Sequence, residues 1–120
     1  MKKLTEEAIH IGIIDLLRLT AAPGVLYFHP ANGGLRNKRE AAKFKRMGVL
    51  PGIADIVIII PTGWVVFVEV KTPKGSVSEY QQGFKKFCED HEYPYTVVHS
   101  ISEAEKYFLS IGILKTAEKK

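Results

Sequence analysis

The chain has 120 residues, of which 46% are hydrophobic and 25% are charged, and its net charge is +4. This mixture is typical of one folded domain with its own core and excludes a disordered chain, while the positive charge favours a polyanionic partner only weakly. A single cysteine excludes an internal disulfide, and the longest apolar run, residues 56–60, is far too short to cross a bilayer, so we expect a soluble, cytoplasmic protein.

Apolar periodicity, with glycine and proline between the periodic runs, predicts a single domain over residues 1–114 and a frayed tail at 115–120. In chain order the predicted elements are a helix at residues 4–19, a strand at 25–29, a polar helix at 38–47, strands at 55–60 and 64–71, a helix at 78–91, a strand at 95–99 and a helix at 102–110. The turn Pro61-Thr62-Gly63 makes an antiparallel hairpin of the two central strands, and the helix after them makes a parallel, right-handed crossover. The fold class is therefore α/β, a mixed β-sheet flanked by helices.

The hairpin carries the most informative pattern in the sequence. If its turn centres on Thr62, Asp55 lies opposite Glu69, and opposed residues have Cβ atoms about 4.5–5.5 Å apart. Two carboxylates at the end of an apolar hairpin repel each other unless a cation neutralises them, and hard oxygen ligands suit Mg²⁺ or Mn²⁺. Lys71, two residues after Glu69, lies on the same face of the strand and can reach a water or a phosphate oxygen. The pattern indicates a hydrolytic metal site.

A simpler interpretation is that Glu69-Val70-Lys71 is only a solvated strand end, since Glu-x-Lys occurs by chance in many proteins. The context favours the metal site, because both carboxylates are in register on strands that are otherwise apolar.

Glu6 has two interpretations of about equal weight. It shares the helix face of Ile9 and Ile13, so its carboxylate can contribute to the same site, or it can simply stabilise the first turn through the helix dipole. Glu7 points to another side and is typical of an exposed charge.

Gln81 also has two interpretations. Ser78-x-x-Gln81 is a capping box, with Ser76 as an alternative cap. Gln81 would nonetheless lie in the first turn after the catalytic strand, where it can contact a phosphate or an active-site water.

Basic residues concentrate between the first strand and the hairpin, next to the glycine-rich loop Asn32-Gly33-Gly34. This position favours contact with a phosphate backbone, although many such runs are solvated helix faces. The predicted DNA contacts are Asn32, Gly33, Arg36, Lys38, Arg39, Lys43, Lys45, Arg46 and Lys74.

The four histidines, His10, His29, His91 and His99, have no ligand spacing among themselves or with Cys88, so we expect no zinc site. His29 precedes Pro30 beside the glycine-rich loop, and we expect it to be structural.

Together these landmarks resemble the VRR-NUC family of the PD-(D/E)XK nuclease superfamily. They run through nearly the whole chain as Glu6, the loop from His29 to Gly34, the basic helix ending Lys45-Arg46-Met47-Gly48, the segment Pro51-Gly52-Ile53-Ala54-Asp55, Glu69-Val70-Lys71 and Ser78-x-x-Gln81. One departure is visible: Ala54 stands where the family usually has proline, a residue that shapes the backbone and ligates nothing.

The resemblance implies a restriction-endonuclease-like core and phosphodiester hydrolysis that leaves a 5′-phosphate. It implies Mg²⁺ or Mn²⁺ binding by Glu6, Asp55, Glu69 and the main-chain carbonyl of Val70. Lys71 would orient or help deprotonate the attacking water, and Gln81 would support the site. Stand-alone members resemble Holliday-junction resolvases and pair into dimers, so we expect a homodimeric, structure-selective DNA endonuclease acting on branched DNA, with a role in DNA repair or related processing.

Three alternatives stay open at the sequence level. The first is a catalytically silent nucleic-acid-binding domain of the same fold, against which the intact Asp55, Glu69 and Lys71 argue. The second is a less selective nuclease that nicks ordinary duplex, and the third is a small protein whose basic helix binds an acidic partner.

Overall fold

The structure is a computed structural model that describes residues 4–30 and 37–115. Its elements, in chain order, are α1 (Glu6–Thr20), β1 (Leu26–Phe28), α2 (Lys38–Arg46), β2 (Ile56–Ile59), β3 (Val65–Val70), α3 (Glu79–Asp90), β4 (Tyr95–Val98) and α4 (Ile101–Ser110). No helix in these ranges is long and apolar enough to cross a membrane. The element order matches the prediction, and most bounds agree to within one or two residues.

The four strands form one mixed sheet in the order β1-β2-β3-β4. β2 pairs antiparallel with both β1 and β3, and β4 pairs parallel with β3, so the predicted hairpin and the predicted parallel crossover are both confirmed. Ile56 is paired with Val68 in the hairpin. Continuing this register by one residue brings Asp55 opposite Glu69, as the turn at Thr62 predicts.

Helices cover both faces of the sheet, which explains why the central strands are apolar almost throughout. On one face, Val66 and Val68 join the buried core with Ile9 and Ile13 of α1 and Phe108 of α4. Neighbouring side chains on a strand point to opposite faces, so the residues between these valines face the other way.

On this second face, Phe67 packs edge-on against Phe84 of α3 with ring centroids 4.8 Å apart. Glu69, two residues after Phe67, therefore points toward α3 and not into the core between α1 and α4. This side of the hairpin is where the two predicted carboxylates meet.

Side-chain caps set the starts of two helices that the site depends on. The Thr5 hydroxyl accepts a hydrogen bond from the Ala8 N–H at 3.0 Å, so α1 begins at Glu6 and not at residue 4. Ser78 is the N-cap of α3, in preference to Ser76. Of the predicted tail, Lys115 is described and its N–H donates to the Thr20 carbonyl at 2.7 Å, while residues 116–120 lie outside the described ranges.

Candidate active site

The centre of the site is the carboxyl group of Glu69, at the end of β3. Glu69 is only 1% exposed, and it is the one buried charged residue in the ranges that the structure describes. Its Oε2 accepts a hydrogen bond from the Gln81 side-chain amide and lies 3.7 Å from Lys71 Nζ. Its Oε1 is buried as well, but no described residue donates a hydrogen bond to it. Half of this carboxylate is therefore left without a partner, which is costly for a buried charge.

Asp55 lies just before β2 and faces Glu69 from the neighbouring strand. Its Oδ2 accepts a hydrogen bond from the Val70 N–H at 2.8 Å, so the side chain bridges β2 to β3 at the end of the hairpin. This contact holds Asp55 beside Glu69 and brings the two acidic groups together, as predicted.

The crowding of acidic groups changes the protonation of Glu69. Burial, then the negative charge of Asp55, raises the pKa of Glu69 to about 8, and the ammonium of Lys71 opposes this only in part. Glu6 adds a smaller contribution in the same direction. Glu69 therefore holds a proton up to about pH 8, and a cation bound to the cluster would offset the same burial and repulsion in place of that proton.

Gln81 completes the predicted capping box and also contacts the acidic cluster. Its Oε1 accepts a hydrogen bond from the Ser78 N–H at 2.8 Å, and its own N–H donates to the Ser78 hydroxyl at 3.2 Å, so the capping box is complete. The remaining side-chain Nε2 donates to Glu69. One amide group thus joins the start of α3 to the buried carboxylate.

A cavity of about 470 Å³ opens beside this cluster between α1 and the ends of the strands. Glu6, Asp55 and Val70 line it, which are three of the four predicted ligand positions. Glu6 is exposed, and its Oε2 lies close to Gly75. A Cβ added to Gly75 would be 3.2 Å from this oxygen. The absence of a side chain at Gly75 leaves room for this carboxylate above the turn that follows β3.

The donor set fits a hard divalent cation. It consists of carboxylate oxygens and a main-chain carbonyl, the ligands that Mg²⁺ and Mn²⁺ prefer, and the unpartnered Oε1 of Glu69 is a buried oxygen that a cation would satisfy. Within residues 4–30 and 37–115, no three His, Cys, Asp or Glu side chains already converge as a complete ligand cage. Asp55 and Glu69 are instead held by Val70 and Gln81, with Glu6 at the cavity wall.

Three polar residues of this cavity were not expected from the sequence. Glu7 borders it beside Glu6, and its side chain is exposed, as the interpretation of Glu7 as a surface charge expected. A helix that borders a cavity presents two adjacent sides to it, whereas periodicity identifies only the side that faces the core. The other two are His10 and His29, whose rings meet edge-to-face with centroids 4.8 Å apart.

His10 and His29 share the cavity wall with Asp55. His29 Nδ1 lies 2.6 Å from the main-chain oxygen of Asp55. Burial, followed by the charge of His29, lowers the pKa of His10, while Asp55 acts in the opposite direction. The signal in the sequence is the pair His29-Pro30 at the end of a strand, but only the pairing of β1 with β2 brings it to Asp55.

Comparison with known proteins agrees with this geometry. The VRR-NUC domain family matches residues 29–102, more than half of the chain. The chain belongs to the VRR-NUC family. This is a family of nuclease type, and the matched segment contains Asp55, Glu69, Lys71 and Gln81.

A search of solved structures finds a chain described as a VRR_NUC domain protein, with a TM-score of 0.71 and 21% sequence identity. The match covers 90% of this chain and 88% of the other, so the similarity in fold extends beyond residues 29–102. No curated protein matches the sequence.

The predicted DNA contacts of this VRR-NUC domain divide into three groups. Lys38, Arg39, Lys43, Lys45 and Arg46 are exposed on α2, which has no buried residue. Lys74 is exposed in the turn after β3, beside a different cavity from the one that Asp55 lines. Asn32, Gly33 and Arg36 lie outside the described residues.

Proposed function

We propose that this VRR-NUC protein is a divalent-metal-dependent DNA endonuclease that hydrolyses phosphodiester bonds and leaves a 5′-phosphate. The observation that supports this most directly is the buried carboxylate of Glu69, half unpartnered, beside Asp55 and Lys71. A protein that used this end of the sheet only for stability would gain by replacing Glu69 with an apolar residue, because burying a carboxyl group beside a second acidic side chain is less favourable than packing an apolar side chain there.

Mg²⁺ or Mn²⁺ would be held by the carboxylates of Glu6, Asp55 and Glu69 and by the carbonyl of Val70. When bound, the ion would make a water molecule more acidic and stabilise the negative charge that develops on the phosphate. Gln81 supports this role, because its hydrogen bond holds Oε2 of Glu69 and leaves Oε1 free to bind.

Lys71 is the proposed catalytic cation of the site. Its side chain is only 11% exposed and lies 3.7 Å from Glu69 Oε2, longer than a good hydrogen bond, so its ammonium keeps donors for another acceptor. Lys71 would donate to the attacking water or to a phosphate oxygen and orient it for attack. The main chain supports this position, because the Lys71 N–H donates to the Val98 carbonyl at 3.0 Å and fixes the lysine to β4.

Branched DNA is the proposed substrate, cut by a homodimer in which each subunit acts on one strand. The exposed basic side chains of α2 support a polyanionic partner, since phosphate contacts supply most of the affinity of a DNA-binding surface. Contacts between these basic side chains and phosphates would carry no base information directly, which favours recognition of shape over recognition of sequence.

The experiment that tests this function is cleavage of end-labelled four-way junction, flap and plain duplex DNA with Mg²⁺, Mn²⁺ or EDTA. The wild type is compared with Lys71→Ala, and Lys86→Ala is the matched control, because Lys86 pairs with Asp90 at 2.9 Å on the exposed side of α3. We expect metal-dependent cutting of the branched substrates that falls by about 100-fold or more in Lys71→Ala and is unchanged in Lys86→Ala.

Each other outcome revises a different part of the proposal. Equal cutting of all three substrates would keep the nuclease and discard the selectivity for structure. Salt-sensitive binding without cleavage in either metal would replace the nuclease with a catalytically silent nucleic-acid-binding domain.

A further inference from the structure

At the end of β1, the main-chain oxygen of Asp55 lacks the strand N–H that would normally donate a hydrogen bond to it. Phe28 pairs with Val57, and continuing this antiparallel register by two residues brings Pro30 opposite Asp55. Proline has no N–H, so it cannot donate a ladder hydrogen bond to the neighbouring strand. The β1–β2 ladder therefore stops at the pair Phe28–Val57, two residues before Asp55.

The His29 side chain supplies the missing donor. Its Nδ1 lies 2.6 Å from the Asp55 main-chain oxygen. A carbonyl oxygen only accepts, so Nδ1 carries the hydrogen in this contact. The ring of His10 meets the His29 ring edge-on, at an interplanar angle of 84°, and limits its rotation. Both rings border the same cavity as the Asp55 side chain.

Asp55 is consequently held from two sides. Its main-chain oxygen is bonded to His29 beside β1, and its carboxylate is bonded to the Val70 N–H on β3. The first contact fixes the backbone from which the carboxylate projects, and the second fixes the carboxylate itself. Groups that orient a metal ligand in this way typically affect affinity or activity by about 10- to 100-fold when they are removed.

We propose that His29 is a positioning residue, braced by His10, that holds Asp55 in the orientation needed to bind the metal ion. This inference rests on the proposed function, because it assigns Asp55 a ligand role. It concerns the Nδ1–H of His29 and requires no contact between either histidine and DNA.

Three substitutions separate this role from others that His29 could have. His29→Asn keeps an N–H donor close to the position of Nδ1 and removes the rest of the ring. His29→Gln moves the amide to the position of Nε2 and loses the donor to Asp55, and His29→Ala loses both. His91→Ala is the matched control, because His91 Nδ1 makes a similar contact with the Phe87 carbonyl at 2.9 Å, at the end of α3 opposite Gln81.

The first measurement is Mn²⁺ affinity by titration calorimetry, on variants whose circular dichroism matches the wild type. We expect His29→Ala and His29→Gln to bind Mn²⁺ about tenfold more weakly, His29→Asn to stay within about threefold of the wild type, and His91→Ala to be unchanged. Wild-type affinity in His29→Ala, or equal losses in His29→Asn and His29→Ala, would overturn the inference.

The second measurement needs no metal, so it separates failure of this inference from failure of the proposed function. Hydrogen exchange of the Val70 amide in EDTA reports its bond to the Asp55 carboxylate. We expect exchange to be about three- to tenfold faster in His29→Ala and restored in His29→Asn. If the wild type binds no Mn²⁺ but this pattern holds, the metal proposal fails and the positioning of Asp55 stands; if exchange is the same in all variants, the positioning role is wrong.

Discussion

Without metal, the stability of this protein should fall as the pH rises, and Glu69 should be the cause. The pKa of Glu69 is about 8 in the folded chain, against an ordinary value of 4.5. The folded state therefore holds this proton more tightly than the unfolded state does, so the resulting stability is fully present below pH 4.5 and is lost as the pH rises through about 8. This difference in the pKa of Glu69 between the folded and unfolded chains corresponds to on the order of 3–5 kcal/mol in the free energy of unfolding.

The substitution Glu69→Gln removes the titration and keeps the shape. A glutamine at this position can still accept the hydrogen bond from Gln81 through its oxygen, and its amide can donate toward Asp55. We therefore expect the free energy of unfolding of the wild type to decrease relative to that of Glu69→Gln between pH 5 and 8 in EDTA, because other groups with shifted pKa values, such as His10, act alike in both proteins. Near pH 8 the variant should be the more stable protein.

Urea unfolding followed by circular dichroism, at pH 5, 6, 7 and 8 in EDTA, measures this difference. Glu105→Gln is the control, because Glu105 is an exposed carboxylate of α4 and its loss should leave the wild-type slope intact. Parallel curves for the wild type and Glu69→Gln across this range would refute the reasoning, since they would mean that Glu69 titrates alike in the folded and unfolded chains.

Two further predictions concern the support of the site. Gly52 has φ +82°, and a Cβ added there would lie 2.5 Å from the main chain of Tyr80, so Gly52→Ala should lower the free energy of unfolding in urea titrations by about 3 kcal/mol. Gly48→Ala is the control and should cost about 1 kcal/mol, because φ is +90° there but a Cβ added to Gly48 would meet no described atom within 4 Å. Equal losses in the two variants would contradict the close approach at Gly52. Tyr95→Phe should change that free energy by less than about 1 kcal/mol, because the buried Tyr95 hydroxyl has no hydrogen-bond partner among the described residues, and a larger loss would reveal one.

The parts of the site that sequence could predict are those fixed by local spacing. The register of the hairpin follows from the position of its turn, so the opposition of Asp55 and Glu69 follows from counting residues on either side of Thr62. The capping box of α3 is likewise local, because Ser78 and Gln81 are three residues apart. The VRR-NUC resemblance draws on the same short segments, and the family match confirms it.

The parts that sequence did not predict depend on contacts between distant segments. His29 reaches Asp55 across 26 positions, and only the antiparallel pairing of β1 with β2 brings them together. Glu7 faces the cavity because of how α1 lies beside the strand ends, and periodicity within α1 carries no information about that placement. The sequence also did not predict that the Gln81 oxygen caps α3 while the Gln81 nitrogen contacts Glu69, because a glutamine at this position is compatible with either contact alone.

The contacts around the two carboxylates indicate how an unfavourable cluster can survive in a small domain. Asp55 is tied to β1 through His29 and to β3 through the Val70 N–H, while Glu69 is tied to α3 through Gln81. The Val70 and Gln81 contacts each use one carboxylate oxygen, and Oε1 of Glu69 has no donor among the described residues. The crowding is therefore not relaxed by movement of either side chain, because both are held in place. Without metal it is relieved by the proton that the raised pKa of Glu69 retains, and a cation would relieve it in place of that proton. Pre-organised repulsion of this kind would make the site bind a metal more tightly than the same carboxylates on flexible loops.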